Sequence, residues 1–338
     1  MIIIRFFTEA SYSSGLGHLI RTITVVKQFI NDKNFHNKNI RLFINSKMDI
    51  SRFTNGLDNI LVIGDSDDIF CKELMDEKEC INIFDILNCT SKFKNIFKES
   101  KKGKNISLSP VSEINDEMDL IISRGFVQNN SNIKQTFGIE FSVIRNDIKR
   151  INNSEYAKLM NYKRLHIGIA MGGSDPGNFS KILIQIIRNI SIPTTIWLAI
   201  GTEYKHDVND LFMEIKASKT IDLVVGNVFD DLWDFLEKCK LVILQGGLTT
   251  TEAAFRGIPS LNIPRFKSQA IVNKKLFENK AAWIIENEKI EKINDFIKDL
   301  ILNESVLINA SIKGKELVDG LGAERVKKEI IRLKDNNA

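Results

Sequence analysis

The sequence predicts an α/β protein built as two doubly wound, parallel-sheet domains, and three observations carry that expectation. Short apolar runs alternate with helical segments along the whole chain, the pattern of parallel strands covered by helices on both faces. At 338 residues the chain is long for a single hydrophobic core. Between Arg145 and Arg164 the alternation stops, and the polar stretch Arg145-Asn146-Asp147-Ile148-Lys149-Arg150-Ile151-Asn152-Asn153-Ser154 marks a boundary. The expected division is an N-terminal domain over 1–150, a C-terminal domain over 164–320 and a closing helix over 321–338.

In chain order, Ile2 to Phe7 reads as a buried strand and Thr8 to Ser14 as a loop. Leu19, Ile20, Ile23, Val26, Phe29 and Ile30 then recur at helical spacing, so a helix starts near His18. Further strands are expected at Arg41–Asn45, Asn59–Ile63, Ile81–Phe84, Asn105–Leu108 and Asp119–Ser123, with charged segments between several of them. In the second half the strands are Leu165–Ala170, Thr194–Ile200, Ile221–Val225, Leu241–Leu244, Ser260–Ile263 and Ala281–Ile285. Helical patterns fill the gaps at Phe179–Asn189, Val208–Ala217, Asp230–Lys238 and Ile271–Lys280, and from Thr249.

Composition narrows the function classes. Hydrophobic residues make up 43% and charged residues 27%, a soluble globular balance. The net charge of +4 comes from 47 basic against 43 acidic residues, without a basic block interleaved with aromatics, so nucleic acid is not an expected partner. No apolar run is long enough for a transmembrane segment, and the apolar N-terminus lacks the order of a signal peptide. Cys71, Cys80, Cys89 and Cys239 form no C-x-x-C pair and no His cluster, which predicts reduced thiols, no metal site and a cytoplasmic protein.

Three glycine turns carry the candidate chemistry. Gln245-Gly246-Gly247-Leu248 leads from an apolar strand into Thr249, Thr250, Thr251 and Glu252. A helix N-terminus presents unpaired amides and partial positive charge, which suits phosphate, and Glu252 one turn on would face ribose hydroxyls. Thr249-x-x-Glu252 is equally a capping box that binds nothing. Gly172-Gly173-Ser174-Asp175-Pro176-Gly177-Asn178 reads as a pyrophosphate cradle ahead of a helix opened by Asp175 and Pro176. Gly15-Leu16-Gly17-His18 allows close backbone approach and puts His18 in a first helical turn, where a neutral imidazole is a candidate general base; Arg21 would share its face and meet an anion. The alternative is a tight strand-to-helix turn with His18 as a cap. Gln269 and Asn273, four residues apart, would read sugar hydroxyls or form a solvated face. Asp85, at a strand's carboxyl end, points into the expected crevice or caps the next helix.

With G-x-G-H-x-x-R near the start, M-G-G-S-D-P-x-N after the boundary and a later G-G-x-T-x-x-E, the chain resembles the UDP-sugar hydrolases of pseudaminic acid biosynthesis. These cleave UDP-2,4-diacetamido-2,4,6-trideoxy-β-L-altropyranose and are similar to the peptidoglycan GlcNAc transferase. The resemblance implies a GT-B architecture, with two Rossmann-like domains facing across a cleft that holds a UDP-sugar. It extends to Gly138–Arg145 and to Asp319–Arg325. It further implies His18 as the catalytic residue, Gly172, Gly173 and Ser174 as the diphosphate turn, Thr249 to Thr251 on the phosphate side, and Glu252 on ribose. Gln269 and Asn273 would lie toward the sugar, and Gly226-Asn227-Val228-Phe229 would recognise uracil through its backbone. The chain departs from the family at Phe7-Thr8-Glu9, where Arg-x-Asp is usual, at Ser107-Leu108-Ser109-Pro110, where aspartates follow the strand, and at Ile86-Leu87, where an aromatic is common. Those differences fall on the sugar side.

The function expected is therefore hydrolysis of a UDP-sugar at its anomeric carbon with inversion, needing neither metal nor cofactor. A GT-B glycosyltransferase and a catalytically inactive nucleotide-sugar-binding accessory protein are the alternatives.

Overall fold

The computed structural model describes residues 2–11, 15–35, 37–75, 80–100, 103–126, 133–228 and 231–335. It divides into two compact units, Met1–Asn146 with Gly320–Ala338, and Asp147–Asp319. Among the described residues no helix is long and apolar enough to cross a membrane.

The first unit runs β1 (Ile3–Ala10), α1 (Gly17–Ile30), β2 (Ile40–Ser46), α2 (Ser51–Thr54), β3 (Leu61–Gly64), α3 (Asp68–Leu74), β4 (Cys80–Asp85), α4 (Ser91–Glu99), β5 (Lys104–Ser107), β6 (Leu120–Ser123) and β7 (Gln135–Phe137). The strands form a parallel sheet in the order β3-β2-β1-β4-β5-β6-β7. Phe43, Phe7 and Phe84 are register partners on β2, β1 and β4, and their rings stack at 5.1 and 4.8 Å. Side chains alternate across a strand. Phe84 therefore packs with Phe93 and Phe97 of α4 on one face, while Asp85 turns to α1 on the other. β1 outruns its expected end at Phe7 because Thr8, Glu9 and Ala10 keep partners in β2.

The second unit begins with α5 (Asn153–Leu159), inside the polar stretch read from sequence as the domain boundary. Asn152 and Glu155 form a capping box there, and buried Tyr156 donates its hydroxyl hydrogen to the Lys240 carbonyl at 2.6 Å. The chain continues through β8 (Leu165–Ala170), α6 (Phe179–Ile187), β9 (Thr194–Ile200), α7 (Val208–Ile215), β10 (Ile221–Asn227), α8 (Leu232–Phe235), β11 (Leu241–Leu244), α9 (Leu248–Arg256) and β12 (Ser260–Asn262). The expected helix over Ile271–Lys280 is two short ones, α10 (Lys267–Val272) and α11 (Lys274–Glu278), broken at Asn273; β13 (Ala282–Ile284), α12 (Ile293–Leu302) and α13 (Glu304–Leu317) follow. The parallel sheet order is β10-β9-β8-β11-β12-β13. Its core gathers Ile167, Ile169, Ile196, Leu198, Leu241 and Ile243 under α6, α12 and α13.

The last helix, α14 (Gly322–Asp335), belongs to the first unit. Val326 and Ile330 join the core of α1, and Lys327 donates to the Gln28 carbonyl and pairs with Asp32 at the negative end of that helix.

Candidate functional site

In an open parallel sheet, ligands bind beyond the carboxyl ends of the strands where the strand order reverses. In the first unit, β2 and β3 lie to one side of β1 and β4 to β7 to the other, so the reversal falls between β1 and β4. Thr8 of β1 is the register partner of Asp85, the last residue of β4, and its hydroxyl donates to the Asp85 carbonyl at 3.2 Å. After β1 the chain returns through Gly15, whose φ of +75° suits glycine and whose amide donates to the Ser11 carbonyl at 2.8 Å. Gly17 then opens α1 without a side-chain cap, and His18 stands in its first turn.

His18 Nδ1 lies 2.6 Å from Asp85 Oδ1. Arg21 donates to both carboxylate oxygens at 2.7 and 2.5 Å, and Thr22 donates to Oδ2 at 3.2 Å. Burial of Asp85 would raise its pKa, but the Arg21 guanidinium and His18 outweigh that effect and lower it to about 2. The carboxylate is thus ionised and accepts the Nδ1 hydrogen; in the neutral form of the ring the lone pair is then on Nε2. Arg21 Nη2 also lies 3.2 Å from Nδ1; two donors cannot bond each other, so both serve the Asp85 oxygen between them.

Asp85, expected to point into the crevice or to cap the next helix, is fully buried, and its two oxygens are engaged by His18, Arg21 and Thr22 rather than open to a substrate. Arg21, expected to meet an anion, meets the Asp85 carboxylate through Nε and Nη2. Sequence reasoning passed over Thr22 and, as a site residue, Glu9; a carboxylate near a strand's carboxyl end was the available signal for the latter.

In the second unit the order reverses between β8 and β11. Ala170 pairs with Leu244, so the two expected phosphate turns leave adjacent strands at the same level. Gly172 has φ +84°, and a Cβ on it would stand 3.0 Å from Gln245 Oε1 in the other turn. Gly173 faces open space, and the glycine at 201, after β9, lets that backbone pass close: a Cβ on Gly201 would come within 2.5 Å of Gly173. Ser174 is half-buried beside them.

Asp175 and Pro176 do not open the helix as their order suggested. α6 starts at Phe179, and buried Asp175 reaches forward to accept from the amides of Phe179 and Ser180 at 2.9 and 2.8 Å. Asn178, expected to bind substrate, sits in the left-handed region (φ +48°) and accepts from the Tyr204 hydroxyl at 3.0 Å, so its side chain secures the turn. His206 bonds the Asp175 carbonyl from the same side at 2.9 Å. Tyr204 and His206, on the segment after β9, were not singled out in the sequence.

At the other turn, Gly246 has φ +84° and Gly247 is the N-cap of α9, with no side-chain cap. Thr249 is therefore inside the first turn, and the Thr249–Glu252 capping box does not form. Thr250 donates to Asn262 Oδ1 at 2.7 Å and Thr251 to the Leu248 carbonyl at 2.9 Å, so both hydroxyls are spent on the fold while the helix-end amides remain. Glu252 is largely buried, with Oε2 accepting from the Trp233 indole at 3.1 Å. Gln269 Oε1 accepts from the amides of Arg265 and Phe266, which leaves only its NH2 group for a ligand. Asn273 is fully buried and donates to the Gly246 and Gln269 carbonyls at 2.8 and 2.9 Å, holding the glycine turn; among the described residues its Oδ1 has no partner. The Val228 amide donates to the Ile200 carbonyl at 3.1 Å and is not available to a base; Phe229 lies outside the described residues.

No family model matches the chain. An uncharacterised protein of Methanocaldococcus jannaschii is 23% identical over 269 residues, 76% of this chain and 54% of the relative, so the chain spans about half the length of the curated relative it matches. Among solved structures, MurG of Acinetobacter baumannii superposes with a TM-score of 0.68 at 12% identity, covering 98% of this chain and 99% of that one. The Anabaena protein Alr3699/HepE, in complex with UDP-glucose, gives 0.68 at 11% identity over 98% and 100%. MnaA of S. aureus, in complex with UDP, gives 0.64 at 12% over 99% and 97%. The chain has the GT-B fold. These likenesses concern the fold, and the roles of the residues rest on their own geometry.

Proposed function

We propose that this chain is a nucleotide-sugar enzyme that binds a UDP-sugar and cleaves its anomeric C–O bond, releasing UDP. The observation that carries the reading is the His18–Asp85 pair, 2.6 Å apart at the strand-order reversal of the first unit. His18 Nε2 takes a proton from water as the water oxygen bonds to the anomeric carbon. The electrons of the breaking C–O bond leave with the diphosphate, and direct displacement inverts the anomeric centre. The second unit supplies the nucleotide side: Gly172, Gly173, Ser174, Gly246, Gly247 and the first amides of α9 receive the diphosphate, and Glu252 the ribose. Two structures of the same fold hold UDP or UDP-glucose, which supports the nucleotide. The motifs shared with the pseudaminic acid pathway hydrolases support an amino- or deoxy-sugar.

Transfer to an acceptor hydroxyl is the second reading, because the same base serves an alcohol as readily as water. The sugar-side departures at Phe7-Thr8-Glu9 and Ile86-Leu87 favour keeping it. Free UDP measured across a panel of UDP-sugars, with and without acceptors, separates the two. His18→Ala is expected to lower UDP release by on the order of 10³-fold while leaving UDP binding intact. Retention of most turnover would sink the mechanism, and binding without turnover across the panel would assign an accessory role.

A further inference from the structure

We propose that Glu9 is a further substrate-contacting residue of the first unit, accepting a hydrogen bond from an O–H or N–H group on the sugar. The inference rests on the nucleotide-sugar reading above. Glu9 follows Thr8, the register partner of Asp85, so it stands at the same reversal of strand order as the His18 pair. Its Oε1 accepts from the Leu87 amide at 2.9 Å, two residues beyond Asp85, and the half-buried carboxylate thereby spans the ends of β1 and β4.

The charge environment separates Glu9 from its neighbours. Asp85 is neutralised by Arg21, and Glu113 pairs with Lys94 at 3.0 Å. Among the described residues Glu9 has no basic partner of this kind, and Leu87 supplies its one hydrogen bond. Burial raises its pKa, with the Leu87 amide and then His18 pulling the other way. Leu87 fixes one oxygen, and the second has no hydrogen bond to the described residues, so the half-buried carboxylate can accept from a ligand there. A sugar hydroxyl or acetamido N–H is the complementary group, and the resulting bond is charge-assisted.

Equilibrium binding of UDP, UDP-glucose and UDP-N-acetylglucosamine to the full chain tests this. In Glu9→Gln the amide oxygen still accepts from Leu87, so the fold is retained, and matching thermal transitions check that. The expected result is a loss of about tenfold in affinity for at least one UDP-sugar, with UDP itself within about twofold. Glu9→Asp, which keeps the charge, is expected to fall between the two. Equal losses for UDP and the UDP-sugars, or no loss for any of them, would overturn the proposal. Failure of the unaltered chain to bind UDP would instead overturn the nucleotide-sugar reading, so the two failures are distinguishable.

Discussion

His18 Nδ1 and Asp85 Oδ1 are 2.6 Å apart although 67 residues separate them, because parallel pairing of β1 with β4 sets Asp85 beside the strand that delivers α1. In the proposed mechanism Asp85 accepts the Nδ1 hydrogen and leaves Nε2 as the base, the role of an orienting carboxylate behind a general base. Asp85→Asn removes the charge and scrambles the bond to Arg21. It is expected to lower kcat for UDP release by on the order of 10²- to 10⁴-fold, with UDP affinity unchanged. Unaltered kcat would show that His18 needs no such partner.

The same carboxylate gives stability a defined pH dependence. Its folded pKa, about 2, lies below the ordinary aspartate value of 3.8. A depressed carboxylate stabilises the fold fully above the unfolded pKa and loses that contribution as pH falls through the folded one. The window is therefore from about pH 4 down to about 2, and the contribution is about 2 kcal/mol. Urea unfolding of unaltered protein and Asp85→Asn across that range should show the gap between them closing as acid is added.

Gly173 and Gly201 should respond in opposite ways. Nothing lies within 4 Å of a Cβ on Gly173, whereas one on Gly201 would reach 2.5 Å from the Gly173 backbone. Gly173→Ala is expected to leave stability within about 0.5 kcal/mol and, if the proposed diphosphate lies there, to weaken UDP binding about tenfold by filling its space. Gly201→Ala should cost about 1–3 kcal/mol through overpacking. Denaturation midpoints and UDP titrations on the two variants check both.

Glu252 is held by the Trp233 indole at 3.1 Å. Glu252→Gln should weaken UDP binding about tenfold if the carboxylate receives ribose hydroxyls. Trp233→Phe removes one donor but leaves the carboxylate, and a loss of about threefold to fivefold is expected, near 1 kcal/mol. Thymidine diphosphate or free phosphate as competitor identifies whether the loss lies at ribose or at phosphate.

Local pattern alone determined the alternation of strands and helices. Thr194–Ile200 and Leu241–Leu244 are read to the residue, because a buried parallel strand is a continuous apolar run bounded by polar residues. The glycine turns and His18 were legible for a similar local reason, since a strand followed by glycines and a helix start is contiguous in the chain. Tertiary structure decided which side chains are available. Asn152-x-x-Glu155 and Thr249-x-x-Glu252 have the same spacing, yet only the first forms a capping box. At α9 the helix opens one residue before Thr249, and Glu252 turns to Trp233. Arg21, Asp85 and Asn178 look like ligand residues in sequence, and each has a hydrogen-bond partner more than 20 residues away that the sequence does not show. Periodicity records which face of an element is buried; which atoms meet there depends on strand order and register, set by contacts far apart along the chain.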